Sequence, residues 1–593
     1  MESSDIIKKI KELESKIESL PSGCIGKKII KGNTYYYHRY SENSKRVEKY
    51  VDASLIQILD EKIQLRKELE LQLRKIKSDF KSNTKINNKN FYCEVLIEND
   101  LKKFIQGVRR YKKRDCFNTI KEYLYDDSCE KVLILYGLRR TGKTTLIRQS
   151  IFEMDNINFN KTAFIQVKYS NTLADINNDL KKLNDLGYKY VFIDEVTLLE
   201  DFIEGSALFS DIYTSSGIKI VLSGTDSLSF LFTKSEELYN RCILIHTTFI
   251  PYKEFEKVLG IKGIDEYIRY GGTMALGGDN YNNVKIFDDD SSTKEYIDTA
   301  IAKNIQHSLK YYNDGNHFRN LQELYEKNEL TNVINRVVED INHRFTVDVL
   351  TKKFKSSDLA ISRRNLMKDK SNPITILEEI DSDLLVEGLK KILDILDKDK
   401  QIIKLNELHV IEIKEYLKLL DLVYEVDERS FPNINSIKKN IVISQPGLRY
   451  AQATSLIKVL LLDEAFYNLS IIEINSIKNR ILNEIKGRMM EDIIMLETKI
   501  FNPNKEIFKL KFAIGEIDMV VFDPLSLSCD IYEIKYSNKI VSDHYKHLID
   551  KEKTDLINFR FGNINNKYVI YRGNNEIVDG VNYINVEDYL NSL

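Results

Sequence analysis

The feature that most constrains this chain is the octapeptide GLRRTGKT, which spans Gly137–Thr144. The apolar run Val132–Tyr136 before it predicts a buried strand, and the segment TTLIRQSIF after it predicts a helix. At such a turn the glycines let backbone N–H groups close around phosphate oxygens, and the helix N-terminus adds a favourable dipole. The context favours a nucleotide-phosphate loop over a chance match.

Within this loop, Lys143 is expected to pair with the β- and γ-phosphates of ATP, and the Thr144 hydroxyl to ligate Mg²⁺. ATP and Mg²⁺ are therefore the expected cofactors. The other predicted nucleotide-binding residues are Gly137, Arg139, Arg140, Thr141, Gly142, Thr145 and, from a later strand, Thr225.

Two further apolar strands end in residues that are predicted to bind Mg²⁺, activate water and sense the γ-phosphate. The run Tyr190–Ile193 ends in Asp194, expected to hold Mg²⁺, and Glu195, expected to polarise the attacking water. The run Lys219–Leu222 leads into SGTDS, where Thr225 is a candidate sensor of the γ-phosphate, with a plain turn as the alternative. Strands alternating with amphipathic segments predict a central parallel sheet.

Together the phosphate loop, the FIDE strand and the SGTDS strand end resemble a prokaryotic AAA-type P-loop ATPase of the additional-strand, catalytic-glutamate class. The later stretches YNR (239–241), FIPYKEF (249–255) and YGG (270–272) are similar to landmarks of a subgroup with a nuclease-like C-terminal domain of uncharacterised function. The resemblance implies that Arg241 senses or stabilises the γ-phosphate, in cis or in trans. Asn240 stands where such proteins usually have Gly.

A second set of chemical residues lies near the C-terminus. GEIDMVVF (515–522) and DIYEIKY (530–536) alternate as strands, and side chains two residues apart, such as Glu533 and Lys535, share one face of a strand. With Asp518, these residues resemble the PD-(D/E)xK nuclease core, and Glu491 matches the helix acid of that fold. The resemblance implies Mg²⁺ at Asp518 and Glu533, with Glu491 as a further metal residue and Lys535 orienting water. His544 and His547 fit a solvated helix face better than a metal pair.

The N-terminal region predicts a helix at 3–19, a β-hairpin near 24–51 and a second helix over about 53–80. This pattern favours a coiled-coil spacer or oligomerisation arm. The alternative is nucleic-acid contact through Tyr35, Tyr36, Tyr37 and Arg39, since residues 1–120 carry about ten more basic than acidic residues.

Four units follow for the 593 residues: an arm at 1–82, the AAA-type P-loop ATPase at 91–285, a helical or winged-helix connector at 286–440, and a PD-(D/E)xK nuclease-like α/β domain at 441–593. The segment 413–427 and the PGLR turn at 446–449 suggest the winged helix, for which packing is favoured over DNA binding. The predicted fold class is multidomain α/β.

The formal charge of −2 excludes a uniformly basic coat but leaves local patches open. Six scattered cysteines without a CxxC pair, and no apolar run of membrane-spanning length, predict a cytoplasmic protein with reduced thiols and no membrane partner.

The expected function is an ATPase whose nucleotide state controls a nuclease-like module acting on nucleic acid, DNA more than RNA, with a homo-oligomer possible. The alternative is an ATP-switched DNA-binding, scaffolding or signalling protein that does not cleave.

Overall fold

The computed structural model describes residues 20–30, 33–42, 45–69, 91–199, 201–225, 238–274, 290–302, 329–355, 407–462 and 470–593, with isolated positions elsewhere. These residues divide into two compact units, Met1–Val95 and Leu96–Leu593. The predicted linker at 78–90 lies outside the described residues, as do Asp226, Ser227 and most of the helix predicted at 3–19.

The first unit contains a three-stranded antiparallel sheet, so the prediction of a two-stranded hairpin there was one strand short. Its strands are β1 (Cys24–Ile30), β2 (Asn33–Glu42) and β3 (Lys45–Val51). Tyr36 of β2 lies opposite Lys27 on one side and Val51 on the other. A helix follows at 56–69. The coiled coil stays a prediction.

The second unit, together with the strand Glu94–Leu96 that crosses its first residue, is mixed α/β. Its strands are β4 (Glu94–Leu96), β5 (Val132–Tyr136), β6 (Thr162–Gln166), β7 (Tyr190–Asp194), β8 (Lys219–Gly224), β9 (Cys242–His246), β10 (Val423–Ser430), β11 (Lys438–Ile443), β12 (Glu506–Lys511), β13 (Glu516–Asp523), β14 (Ser528–Ile534), β15 (Asn563–Tyr571), β16 (Glu576–Val578) and β17 (Val581–Asn585). Its main helices are α1 (Glu98–Ile105), α2 (Phe117–Tyr125), α3 (Lys143–Phe152), α4 (Leu173–Asp185), α5 (Tyr252–Leu259), α6 (Ile264–Tyr270), α7 (Asp290–Tyr296), α8 (Leu330–Lys355), α9 (Glu407–Leu419), α10 (Pro446–Leu460), α11 (Ile471–Phe501), α12 (Lys551–Phe561) and α13 (Val586–Ser592). Short helical segments include Asn156–Phe159, Phe202–Gly205, Phe209–Thr214 and Lys546–Ile549.

The first sheet of this unit has the strand order β4-β6-β7-β8-β5-β9. The pairs β6–β7, β7–β8, β8–β5 and β5–β9 are all parallel, which confirms the predicted central parallel sheet. Strand β8 lies between the phosphate-loop strand β5 and the acid-bearing strand β7. The carboxyl ends of these three strands therefore meet at one edge, where their polar residues are brought together.

The second sheet has eight strands in the order β11-β10-β12-β13-β14-β15-β17-β16. Strands β12, β13 and β14 form an antiparallel meander, and β15 pairs parallel to β14. The long helix α11 precedes the meander, and α12 connects β14 to β15. The apolar side chains of α11 pack in one core with residues of α5, α6 and α10, which joins the second sheet to the helices that follow β9.

The boundary drawn at 440 falls inside β11. Strands β10 and β11 form a hairpin that extends the C-terminal sheet, because β10 pairs parallel to β12, for example Asp427 with Phe508. The segment interpreted as part of a winged helix therefore contributes a strand to that sheet. Among the described residues, no helix is long and apolar enough to cross a membrane, and the described cysteines form no disulfide.

Candidate functional site: a phosphate loop and a carboxylate–lysine cluster

The loop between β5 and α3 is shaped by two glycines with positive φ. Gly137 has φ 138°, and a Cβ there would lie 2.6 Å from Thr247 Oγ1. Gly142 has φ 89° and is the N-cap of α3. Thr141 Oγ1 donates to Leu138 O at 2.8 Å, which fixes the loop from inside. Glycine is needed at 137 because the segment directly after β9 approaches the backbone so closely.

The lysine and the acids predicted from the sequence are brought to this edge. Lys143 Nζ donates to Gly137 O at 2.7 Å and to Leu138 O at 2.8 Å. Burial lowers the pKa of Lys143 to about 8, although the carboxylates of Glu195 and Asp194 act in the opposite direction. The ammonium is thus held beside the loop with two acids close enough to influence its charge.

Asp194 is bonded on both oxygens by neutral donors. Thr144 Oγ1 donates to Oδ2 at 2.9 Å, the Glu195 N–H donates to Oδ1 at 3.0 Å, and the Ser223 hydroxyl also donates to Oδ1. The residues Thr144 and Asp194 thus lie in direct contact. A hydroxyl and a carboxylate are hard oxygen donors of the kind Mg²⁺ prefers, so this pair fits that ion.

Glu195 adopts a left-handed conformation, with φ 57°. Thr225 Oγ1 donates to its Oε2 at 3.4 Å, so the predicted sensor strand and the predicted catalytic acid are in contact. Burial raises the pKa of the Glu195 carboxyl, with the charge of Lys143 acting against it. A non-glycine residue with positive φ is a sparsely populated conformation that often occurs at functional sites.

The side chains of Arg139, Arg140 and Thr145 also belong to this edge. Arg139 is exposed, and its charge acts on both Lys143 and Glu195. A cavity of about 420 Å³ adjoins the loop, and its lining includes Arg110, Tyr111, Arg140, Thr145, Leu259 and Met274. Its aromatic, apolar and cationic lining suits a nucleotide's base and sugar beside the phosphates.

Arg241 is not brought to the loop of its own chain. It immediately precedes β9, and the Val132 N–H at the start of β5 donates to its carbonyl at 3.0 Å. The loop follows the opposite end of the five-residue strand β5, which is about 13 Å away at ~3.3 Å per residue. The guanidinium instead pairs with Asp211, with both side chains about half exposed.

Sequence reasoning missed Arg114, a buried residue that braces the loop. Its Nη1 donates to Thr141 O and to Thr247 O, both at 2.8 Å, and its Nη2 pairs with Glu254 Oε2 at 2.8 Å. Glu254 lies in the FIPYKEF stretch, which explains why that landmark accompanies the loop. The partners are 140 positions apart, so local periodicity carries no signal for the pair.

At the C-terminal sheet, Asp518 of β13 and Glu533 of β14 are linked by Lys535. Its Nζ lies 2.9 Å from Asp518 Oδ2 and is also bonded to Glu533 Oε2. Asp518 Oδ2 further accepts from the Ile534 N–H at 2.9 Å. The three predicted residues Asp518, Glu533 and Lys535 are thus in direct contact.

The pKa values of Glu533 and Asp518 are shifted in opposite directions. Burial and then the neighbouring Asp518 charge raise the pKa of Glu533 well above its ordinary value. Asp518 is also buried, which alone would raise its pKa, but Lys535 and Lys509 hold that pKa well below the usual range. No protein donor among the described residues reaches the buried Glu533 Oε1, and Glu533 shares a side-chain hydrogen bond with Asp518. A metal ion that replaced the shared proton would find a buried carboxylate oxygen without a donor.

Lys509 of β12 is a second residue that sequence reasoning missed. Its side chain is 2% exposed, and its Nζ lies 3.4 Å from Glu491 Oε2, 2.7 Å from Glu516 Oε1 and 3.6 Å from Asp518 Oδ1. Glu491, the predicted helix acid, is also bonded by Arg488. The only sequence signal was a lysine inside the otherwise apolar pattern IFKL.

His547 lies against the loop before β13 rather than on a free helix face, since a Cβ on Gly515 would come within 2.7 Å of its Nε2. Its Nδ1 is bonded to Lys553 Nζ at 2.5 Å. Within the described part of the chain, no group of three or more His, Cys, Asp or Glu side chains is arranged to hold a metal ion.

Comparison with known proteins agrees with the first of these sites. Residues 129–256, which contain the loop, β7, β8 and β9, match a family described as an AAA domain. These residues therefore form an AAA-type P-loop domain, as the resemblance implied.

Other matches say less. Residues 3–60 match a family described only as a domain of unknown function. One curated relative is the uncharacterized protein MJ1544 of Methanocaldococcus jannaschii, 24% identical over 216 residues, covering 32% of this chain and 46% of that protein. The Aeropyrum pernix ORC1 protein, solved in complex with DNA, aligns at 11% identity over 60% of this chain and 97% of that chain; its TM-score of 0.22 is too low to support an argument.

Proposed function

We propose that this protein is an Mg²⁺-dependent ATPase whose nucleotide state controls a C-terminal nuclease-like domain acting on nucleic acid, DNA more than RNA. The observation that carries the proposal is the presence, within one compact unit, of a phosphate loop and an Asp518–Glu533–Lys535 cluster joined by one hydrogen-bonded segment. The phosphate loop supports ATP hydrolysis, the cluster supports cleavage, and the segment supports control of cleavage by the nucleotide.

For the ATPase, the loop N–H groups and Lys143 would hold the phosphates, while Thr144 and Asp194 would hold Mg²⁺. Glu195 is the candidate base for water, since burial raises its pKa and Thr225 orients it. Because Arg241 lies at the far end of the sheet, its proposed role on the γ-phosphate requires a neighbouring copy. The proposal therefore includes a homo-oligomer.

For the nuclease-like domain, the succession of α11, β12–β14, α12 and β15 supports the proposal, because it places the predicted helix acid and the two acid-bearing strands in the order expected from the sequence. Asp518 and Glu533 would hold Mg²⁺, which can activate water and stabilise a pentavalent phosphate when bound. Glu533 Oε1, which accepts from no protein donor in the described part of the chain, would supply an oxygen ligand. Lys535 would neutralise charge that develops on the scissile phosphate.

Control of one site by the other is supported by segment 263–274. Arg140 O in the phosphate loop accepts from the Met274 N–H at 2.8 Å, and Gly272 O accepts from Gln445 Nε2 at 3.1 Å, next to α10. A Cβ on Gly272 would lie 2.6 Å from Gln445 Cα, so this contact requires the glycine.

At the start of the same segment, Asp265 of α6 reaches the nuclease-like domain. Its Oδ1 accepts from Lys486 Nζ at 2.9 Å and from the hydroxyl of Tyr536, and Arg572 bonds Oδ2. Tyr536 directly follows Lys535. A shift of this segment with bound nucleotide would therefore be felt at the lysine.

The alternative is an ATP-switched protein that binds DNA or assembles partners without cleaving. The observation that favours it is that every acid of the cluster is already paired with a cation: Glu491 with Arg488 and Lys509, Asp518 with Lys509 and Lys535, and Glu533 with Lys535. The basic first unit would then supply the nucleic-acid contact.

The deciding experiment incubates the full chain and Mg²⁺ with linear, circular and single-stranded DNA and with RNA, with and without ATP. We expect DNA cleavage that ATP changes in the wild type, that ATP no longer changes in Lys143→Ala, and that is lost in Lys535→Met. Lys539→Met, at an exposed position four residues further on, is the matched control. Intact substrates in every arm would favour the non-cleaving alternative.

A further inference from the structure

Lys509 is placed unlike an ordinary strand lysine. Position 509 lies inside β12, between the buried residues Phe508 and Leu510, and its side chain points into the carboxylate cluster rather than to solvent. Three carboxylates surround its Nζ within 3.6 Å, from Glu491, Glu516 and Asp518. Burying an ammonium is costly unless it is paired, so a position this deep is retained only with such partners.

Asp518 stands between two cations. Its Oδ2 is 2.9 Å from Lys535 Nζ, and its Oδ1 is 3.6 Å from Lys509 Nζ. In hydrolytic sites with two metal ions, a central carboxylate commonly bridges ions about 4 Å apart, and each ion has further oxygen ligands on its own side. Glu533 lies on the Lys535 side of Asp518, while Glu491 and Glu516 lie on the Lys509 side.

The two sides differ in how completely their oxygens are used. On the Lys509 side, Glu516 pairs with Lys509, and Glu491 is bonded by both Lys509 and Arg488. On the other side, no protein donor from the described residues reaches the buried Glu533 Oε1, although Glu533 and Asp518 share a side-chain hydrogen bond. The centre of the three carboxylates on the Lys509 side is thus already filled by an ammonium group, whereas Glu533 keeps an oxygen that no described lysine reaches.

We propose that Lys509 is a built-in cation that fills the place of a second metal ion, so that the cluster takes one divalent ion, at Asp518 and Glu533, and not two. This inference rests on the proposed function, because it assigns the metal content of the proposed nuclease-like site. Lys509 acts as a positioning residue that sets the charge and orientation of Asp518.

The inference also predicts that removal of the Lys509 ammonium group creates a second metal site. In Lys509→Met, the oxygens of Glu491, Glu516 and Asp518 face one another without a counter-ion at their centre. Three carboxylates at that separation repel each other and make a favourable oxygen site for a divalent ion. The variant is therefore expected to gain a metal ion that the wild type does not bind.

The experiment counts bound Mn²⁺ by electron paramagnetic resonance on the full chain without nucleotide, with Asp194→Asn in every arm so that the ATPase site contributes no ion. We expect one ion in the reference chain, none after adding Glu533→Gln, and two after adding Lys509→Met. Lys511→Met is the matched control: it lies two residues along the same strand, pairs with Glu428 at 2.7 Å outside the cluster, and should leave one ion.

Two ions in the reference chain, or one in a folded Lys509→Met chain, would overturn the inference while leaving the proposed nuclease chemistry standing. No ion in the reference chain would overturn both. Should Lys509→Met fail to fold, the reference count alone still decides between one ion and two. A second measurement, the shift of Tm on adding Mg²⁺, should be larger for Lys509→Met than for Lys511→Met.

Discussion

Each candidate site contains a buried aspartate, and the two aspartates are stabilised by different kinds of hydrogen-bond partner. In the ATPase region, Asp194 accepts hydrogen bonds only from neutral groups, the hydroxyls of Thr144 and Ser223 and a backbone N–H. In the C-terminal domain, Asp518 lies between the ammonium groups of Lys509 and Lys535. Within the described residues, the first carboxylate accepts no hydrogen bond from an ammonium group, whereas the second is paired with two.

This difference follows from where each acid stands. Asp194 ends a strand at the open edge of a parallel sheet, where ligands bind beyond the carboxyl ends of the strands. Asp518 lies within a strand whose neighbours on both sides contribute lysines. In the proposed arrangement a neighbouring copy supplies Arg241 to the first site, whereas the residues of the second cluster all come from one chain.

The largest expected effect tests that dependence on a neighbour. Arg241→Ala should lower kcat for ATP by about 1000-fold, the order reported for arginines that contact a transferred phosphoryl group. ATP affinity should stay within about twofold, because Arg241 is remote from its own loop. Steady-state ATPase assays and nucleotide titration measure the two quantities.

Arg269→Ala is the control, since Arg269 is exposed to a similar extent and is paired with Glu266. Mixing Arg241→Ala with Lys143→Ala should restore part of the activity if the arginine acts in trans. Unchanged kcat, or no restoration on mixing, would contradict the role proposed for Arg241.

The second prediction compares the two acids directly. Asp518→Asn leaves buried ammonium groups uncompensated, which should cost about 3–5 kcal/mol of unfolding free energy. Asp194→Asn keeps neutral hydrogen bonds to two hydroxyls and should cost no more than about 1 kcal/mol. Denaturant unfolding of both variants, followed by hydrogen exchange to localise the loss, measures the difference.

A smaller loss for Asp518→Asn than for Asp194→Asn would show that the C-terminal cluster is not internally compensated. Asp523→Asn provides the reference for the C-terminal domain. Asp523 ends the same strand as Asp518 and caps the next turn through the backbone N–H groups of Leu525 and Ser526.

Features that depend on neighbouring residues in the sequence could be predicted at both sites. Contacts between residues far apart in the sequence could not. The strand, loop and helix around Lys143 follow from adjacent residues, as do the acids that end β7. The braces come from far along the chain: Arg114 pairs with Glu254, and Asp265 with Arg572. In a chain with 88 Lys and Arg and 90 Asp and Glu, no pattern marks which of them meet.

The same limit explains the connector. A helix and strand near 413–427 were visible, but the pairing of β10 with β12 joins residues about 80 positions apart, such as Asp427 and Phe508. That pairing moves the hairpin into the C-terminal sheet. By contrast, the order of β8 between β5 and β7 agrees with the class of ATPase that the loop and strand motifs resemble.

A third prediction concerns the contact between the two regions. Asp265→Asn weakens three polar contacts to Lys486, Tyr536 and Arg572, so the effect of ATP on cleavage should shrink by about 5–30-fold, the size of a 1–2 kcal/mol coupling. ATP hydrolysis itself should change by less than about twofold. Cleavage and ATPase assays on one preparation measure both. Asp340→Asn, which removes an exposed pair with Arg344, should change neither.

A fourth prediction concerns a pH dependence at the second contact between the regions. Glu497 of α11 is buried, and its Oε1 accepts from the Tyr252 N–H of α5 at 2.7 Å. Burial raises the pKa of its carboxyl to about 8, against an ordinary value of 4.5. The folded chain therefore holds a proton that the unfolded chain releases. Its stabilising contribution is complete below pH 4.5 and is lost as pH rises to about 8.

Across that window the slope approaches about 1.4 kcal/mol per pH unit. Hydrogen exchange of residues 250–256 should consequently quicken between pH 6 and 8, after correction for the intrinsic rate. Glu497→Gln keeps the acceptor and removes the proton, so it should flatten this dependence. Glu587→Gln is the matched control, because Glu587 accepts from the Ile264 N–H at 3.0 Å at the same junction. Equal slopes in the wild type and Glu497→Gln would mean that Glu497 is not the group whose ionisation loosens the junction.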